Sequence, residues 1–129
     1  MIRNGNDLAI ISIGHIGNEV VNASEKLEAE GISVAHYDIR FLKPIDEDLL
    51  HEVLIRFGKV ITVEDGTVTG GLGSAVSEFI TDHQYNTQLV RLGIPDRFVE
   101  QGSIGELQKE CGYDAKGIEQ RAMNLIKSR

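Results

Sequence analysis

The sequence predicts a three-layer α/β/α domain with a mostly parallel sheet and one antiparallel edge strand, and three observations predict it. Short apolar runs rich in β-branched residues alternate with segments of helical periodicity. Leu8 to Ile13 is apolar almost throughout, as a strand covered on both faces requires, where a half-exposed strand would alternate. Glycines stand where such units turn, at Gly14, Gly31 and the cluster Gly70, Gly71, Gly73. With 129 residues, 41% of them hydrophobic, residues 1–129 suit a single domain with a real core and leave little room for a second.

Each element has a local reason. Leu8 to Ile13 is the first strand and Gly14 ends it. The next helix carries Ile16, Val20, Ala23 and Leu27 on one face and stops at Gly31, which takes a left-handed cap conformation without strain. Ser33 to Asp38 is the second strand. Asp46 is a good N-cap for a helix with the stripe Leu49, Leu50, Val53, Leu54 and Phe57, and Ile45 and Leu50 stand at hydrophobic-staple spacing. Lys43 precedes Pro44 and must be extended, so Arg40 to Ile45 reads as a fixed crossover loop.

Val60 to Val63 reads as a buried parallel strand with Glu64 and Asp65 at its carboxyl end. Gly70, Gly71 and Gly73 let backbone approach something closely before Ser74 caps a third helix, whose core face is Ala75, Val76, Phe79 and Ile80. Gly71 is expected to need either positive φ or an approach too close for a side chain. Thr87 to Leu92 makes the fourth strand. Gly93 to Gly102 is then a loop too apolar, at Ile94, Phe98 and Val99, to lie free in solvent, so it packs against something. Ser103 and Glu106 form a capping box for a short helix bearing Ile104 and Leu107, closed by Gly112; Asp114 starts a last helix with Ile118, Ala122, Leu125 and Ile126 inward. At the other end, Asn4-Gly5 is a hairpin turn signal, making Met1 to Arg3 the stub of an antiparallel edge strand and pointing to a natural chain that continues upstream.

Composition excludes several function classes. A net charge of -7 without any lysine or arginine cluster argues against nucleic acid or an anionic membrane as partner. The single cysteine, Cys111, rules out an internal disulfide, and no apolar run is long enough for a signal peptide or a membrane span, so a cytoplasmic protein is expected.

In open α/β folds ligands and partners bind at the carboxyl edge of the sheet, which places His15, Glu64, Asp65, Gly70, Gly71 and Gly73 at the candidate edge. A glycine loop before a helix can cradle phosphate on free N–H groups. This one lacks the Walker lysine and the Gly-x-Gly-x-x-Gly spacing, so packing or an interface is the favoured role. Glu64 and Asp65 are adjacent, face opposite ways on a strand and could not readily share a proton; a capping or interdomain hydrogen bond fits better. His36, His51 and His83 show no metal-ligand spacing with each other or with Cys111 and read as surface or partly buried residues, while Cys111 reads as a buried structural thiol. Arg97 either pairs with Asp96 beside it or reaches a neighbouring domain, where its planar fork matches a carboxylate or phosphate.

The run Asp38-Ile39-Arg40-Phe41-Leu42-Lys43-Pro44-Ile45-Asp46, then Thr62-Val63-Glu64-Asp65-Gly66 with Gly70-Gly71-Leu72-Gly73-Ser74-Ala75-Val76, then Leu92-Gly93-Ile94-Pro95-Asp96-Arg97-Phe98-Val99-Glu100-Gln101-Gly102, closely resembles the C-terminal domain of the transketolase superfamily. The Ile-Pro-Asp-Arg-Phe block favours its 1-deoxy-D-xylulose-5-phosphate synthase family over transketolase itself or the 2-oxo acid dehydrogenase β subunits. The resemblance implies a fragment of a longer, homodimeric, thiamine diphosphate- and Mg-dependent transferase, with no cofactor, metal or catalytic residue in this domain. The cofactor-binding Gly-Asp-Gly motif with its asparagines and the activating glutamate lie in other domains of that family, and Glu64-Asp65-Gly66 is not that motif. The implied partners are the remaining domains, and the implied contact edge includes Asp96, Arg97 and Phe98. Two rivals of other classes stand beside it: a free-standing small-ligand module using the Gly66 to Ser74 loop, and an adaptor that docks another protein.

Overall fold

The computed structural model of the chain describes residues 2–14, 16–39, 45–67, 71–94 and 115–127, without the side chains of 65–67 and 94. Its elements run β1 (Leu8–Ile13), α1 (Gly17–Ala29), β2 (Val34–Asp38), α2 (Glu47–Arg56), β3 (Lys59–Thr67), α3 (Leu72–Asp82), β4 (Gln88–Ile94) and α4 (Ala115–Lys127). The strands form one sheet in the order β2-β1-β3-β4, with every neighbouring pair parallel. Parallel neighbours need a crossover, and α1, α2 and α3 supply the three by folding back over a sheet face, while α4 follows the last strand.

Side-chain alternation along the strands divides the interior in two. Leu8, Ile10, Val34, Ile61, Val63 and Leu92 pack against Val20, Ala23 and Leu27 of α1 and Ile118, Ala122 and Leu125 of α4. On the opposite face, Ala9, Ile11, Ala35, Tyr37 and Val60 meet Leu50, Val53 and Leu54 of α2 and Leu72, Val76 and Phe79 of α3. Ile45 packs on the second cluster together with buried Leu50, as the staple spacing predicts. The chain leaves β1 at Gly14 and α1 at Gly31, both at φ +85°, where a Cβ would be strained. Among the described residues no helix is long and apolar enough to cross a membrane.

Three expectations change. β3 continues through Glu64 and Asp65 to Thr67, and β4 continues through Gly93 to Ile94, because Thr67 pairs with Ile94 beyond an irregularity after Val63. The acidic pair therefore lies within the strand, although Glu, Asp and Gly are weak strand formers. Asn4-Gly5 makes no hairpin onto β1. Instead Arg3 forms a single antiparallel bridge with His36 on the outer edge of β2, so the antiparallel edge strand reduces to one bridged residue. Ser74 falls inside α3 and does not cap it; Gly71 is the N-cap residue.

The bridge is held by donation from the Ile2 and Arg3 N–H groups to the His36 carbonyl at 2.8 and 3.2 Å, and from the His36 N–H to the Arg3 carbonyl at 2.9 Å. Arg56 of α2 donates to the Gly5 carbonyl at 2.6 Å and to the Asn4 and Asn6 side chains at 3.2 and 3.1 Å, while Arg3 pairs with Glu28. Glycine at position 5 is obligatory for this seat, since a Cβ there would lie 2.2 Å from the Val34 carbonyl carbon. Gly5→Ala should cost about 1–3 kcal/mol by urea unfolding and quicken hydrogen exchange at the His36 amide.

Candidate functional site

Two strand-to-helix junctions define the carboxyl edge, and they differ in how the helix start is satisfied. At the β3–α3 junction Glu64, 5% exposed, stands opposite Ile13 of β1 and turns its carboxylate onto the first turn of α3. It accepts from the Leu72 N–H at 3.0 Å and from the Gly73 N–H at 2.7 Å. Those donors would otherwise be orphans of the helix start, and the helix dipole adds to the attraction. Burial raises the Glu64 carboxyl above its usual range, and the two N–H groups and the Arg91 guanidinium oppose that rise without cancelling it. At Gly73 a Cβ would meet the Arg91 side chain at 2.9 Å, so a side chain there would push against Arg91. Gly71 has φ -99°, so the positive-φ expectation for it does not hold.

The same device recurs at two other helices. Asp46 accepts from the Leu49 N–H at 3.0 Å to start α2, and Glu19 of α1 accepts from the Ala115 N–H at 2.8 Å to start α4. Helix α1 differs: its N-cap residue is Ile16, and no side chain among the described residues caps it. Its start forms one wall of an open pocket of about 380 Å³, lined by Gly14, Gly17, Asn18 and Val21, by His36 and Asp38 of β2, and by Ile2. His36 is 2% exposed and shares a 2.7 Å hydrogen bond between Nε2 and the Ser12 hydroxyl. Burial lowers its pKa to about 4 against the pull of Asp38, so the ring is neutral near pH 7.

Of the sequence-predicted edge residues, Glu64, Gly71 and Gly73 come together at the start of α3. Asp65 contributes backbone to β3, and His15, Gly70, Asp96, Arg97 and Phe98 lie outside the described residues, as do Cys111 and the 103–112 segment. His36 departs from the surface or partly buried reading: it is a core residue at the edge of the pocket. Its signal was its place in an otherwise apolar strand, Val34-Ala35-His36-Tyr37. Asn18 and Asp38 also line this pocket, and nothing in local sequence joins them. His51 Nδ1 hydrogen-bonds the Tyr85 hydroxyl at 2.6 Å and stacks edge-on to His83, yet no three His, Cys, Asp or Glu among the described residues are placed to hold a metal ion.

The two buried ionisable groups act on stability with opposite sign. Lowering the folded pKa of His36 from 6.5 to about 4 means that the unfolded chain binds the proton more readily, so stability should fall by up to about 3 kcal/mol as pH drops from 6.5 towards 4. Urea unfolding across that window should show the slope, and His36→Gln should flatten it. Glu64 is raised from 4.5, so its protonated form favours the fold and the difference in stability between wild type and Glu64→Gln should shrink as pH rises through the raised value. Above that value Glu64→Ala should cost about 1–3 kcal/mol by leaving the two α3 donors unpaired.

The family model for the transketolase C-terminal domain matches residues 1–118. The chain is 55% identical over 124 residues to the 1-deoxy-D-xylulose-5-phosphate synthase of Cytophaga hutchinsonii, covering 96% of the chain and 20% of that enzyme. It is 52% identical over 118 residues to the same enzyme of Bacteroides thetaiotaomicron, covering 91% of the chain and 18% of that enzyme. The chain thus spans about one fifth of the length of these curated relatives. A solved split gene transketolase, described as an inactive beta4 tetramer, superposes with a TM-score of 0.87 at 34% identity, covering 96% of the chain and 40% of its own. A transketolase mutant from Pichia stipitis shares the fold with a TM-score of 0.67 at 21% identity, covering 93% of the chain and 16% of its own. On the family match and on a parallel four-stranded fold shared with these structures, the chain belongs to the transketolase C-terminal domain family.

Proposed function

We propose that this chain is the C-terminal assembly domain of a cytoplasmic, homodimeric, thiamine diphosphate-dependent 1-deoxy-D-xylulose-5-phosphate synthase. Such an enzyme condenses pyruvate with glyceraldehyde 3-phosphate, releases carbon dioxide and begins isoprenoid precursor synthesis. The observation that carries this reading is 55% identity to a synthase across 96% of the chain. The edge geometry agrees with an assembly role: the carboxylate of Glu64 is committed to the start of α3, which leaves it neither a free base nor a metal ligand. The described residues do not fit a thiamine diphosphate–Mg site, since the acids that face helix starts are already engaged there and no group of three potential ligands converges. The remaining domains of the parent enzyme hold the cofactor, and this domain meets them through an edge that includes His15, Asp65, Gly70, Asp96, Arg97 and Phe98. The glycine-loop rival loses ground for a specific reason: two of the N–H groups that would cradle a phosphate at α3 are taken by Glu64.

The purified chain alone should neither bind thiamine diphosphate nor form 1-deoxyxylulose 5-phosphate; detectable turnover would refute the assignment. In the full-length synthase, Arg97→Ala and Phe98→Ser should weaken dimerisation in sedimentation experiments and lower product formation. In the chain alone, denaturant unfolding of Phe98→Ser should change stability by less than about 1 kcal/mol. A loss of about 3–5 kcal/mol would instead make Phe98 a core residue of this domain.

A further inference from the structure

We propose that Asn4-Gly5 is a self-modification site that works as a one-way latch on the outer edge of β2: seated, the segment resists conversion to isoaspartate, and once converted it no longer fits its seat. In an Asn-Gly pair the backbone nitrogen readily attacks the side-chain carboxamide before it, because glycine has no Cβ to block the approach. The Gly5 nitrogen bonds to Asn4 Cγ and gives up its proton, and the carboxamide nitrogen leaves with that proton as ammonia. One water then opens the five-membered imide. Cleavage of the bond to Cγ yields aspartate, and cleavage of the bond to the main-chain carbonyl yields isoaspartate.

The geometry puts this reaction behind an opening step. Gly5 is buried although Asn4 and Asn6 on either side of it are exposed. A Cβ built on it would lie 2.2 Å from the Val34 carbonyl carbon and 2.6 Å from the Ala35 nitrogen, so Gly5 lies flat on the backbone of β2 with no room to turn. Its N–H donates to Asn4 Oδ1 at 3.0 Å, which holds the carboxamide by its oxygen and retains the proton that has to leave. Arg56 donates to the same oxygen at 3.2 Å, to the Gly5 carbonyl at 2.6 Å and to the Asn6 side chain at 3.1 Å. The Asn6 N–H in turn donates to the Ser33 hydroxyl at 3.0 Å. Both peptide units around the attacking nitrogen are thereby fixed, and cyclisation requires the segment to lift first.

Isoaspartate routes the main chain through its own side chain and lengthens it by one methylene between residues 4 and 5. A seat that leaves no space for one added carbon on Gly5 does not accept that longer chain while Arg3 stays opposite His36. The N–H and carbonyl of His36 then lose their partners, and β2 presents an edge open to another strand. Ordinary aspartate at position 4 behaves differently: its backbone is unchanged, and its carboxylate faces the Arg56 guanidinium.

Ageing the purified chain at physiological temperature, with peptide mapping of residue 4 and hydrogen exchange of the His36 amide, tests this independently of the synthase assignment. Isoaspartate should accumulate at residue 4 about tenfold more slowly than in the urea-unfolded chain, and the converted fraction should exchange the His36 amide about tenfold faster than fresh chain. Arg56→Gln, its folding verified by a thermal midpoint, should convert about tenfold faster than wild type because the lifted state is more populated. Asn4→Gln, whose cyclisation needs a less favourable six-membered ring, and fresh Asn4→Asp should both keep the slow exchange at His36. Four results would each overturn the latch: no isoaspartate in the folded chain after the unfolded chain has converted; conversion as fast folded as unfolded; Arg56→Gln converting no faster than wild type, which would make Arg56 an activator or a bystander; or unchanged His36 exchange in converted chain.

Discussion

A parallel sheet buried on both faces is the constraint from which the rest of this structure follows. With helices α1 and α4 on one side and α2 and α3 on the other, both sets of alternate strand residues must be apolar. Buried polar side chains are accordingly few among the described residues: Ser12, Ser24, His36, Thr62 and Glu64. The order β2-β1-β3-β4 leaves β1 and β3 central, with chain connections departing to opposite sides.

Within that frame, carboxylates at helix starts do much of the tertiary stitching. Glu64 joins β3 to α3, and Glu19 joins α1 to a helix start 96 residues away in sequence. Each contact satisfies donors that the helix cannot satisfy itself and places negative charge at the positive end of a dipole. For Glu64 the consequence is functional as well as structural. A buried acid at the carboxyl edge resembles a catalytic group until its hydrogen bonds are seen, and those bonds assign it to the scaffold.

The N-terminal segment closes the exposed side of β2 in a comparable way. A free parallel edge strand invites pairing with another chain. Here the Arg3–His36 bridge, the close seat of Gly5 and the reach of Arg56 from α2 cover part of that edge. Ile2, carried along with it, becomes a wall of the β1–β2 pocket, so the segment that protects the sheet also shapes the cavity.

By itself the sequence determined the layer architecture. The unbroken apolar run of β1, the stripes of the helices, the cap at Asp46 and the turns at Gly14 and Gly31 are local signals that the fold obeys. It also carried the family, through motifs spread over the chain in order. Only the tertiary structure decided where β3 and β4 end, because their last residues are held by pairing with each other and not by propensity. It decided likewise that Asn4-Gly5 leads to β2 and not into a hairpin, since that depends on Val34, Arg3 and Arg56 meeting across the fold. The juxtaposition of Asn18, His36 and Asp38 beside an uncapped helix had no sequence signature at all: periodicity reports which face a residue takes, but not which strand ends come to lie side by side.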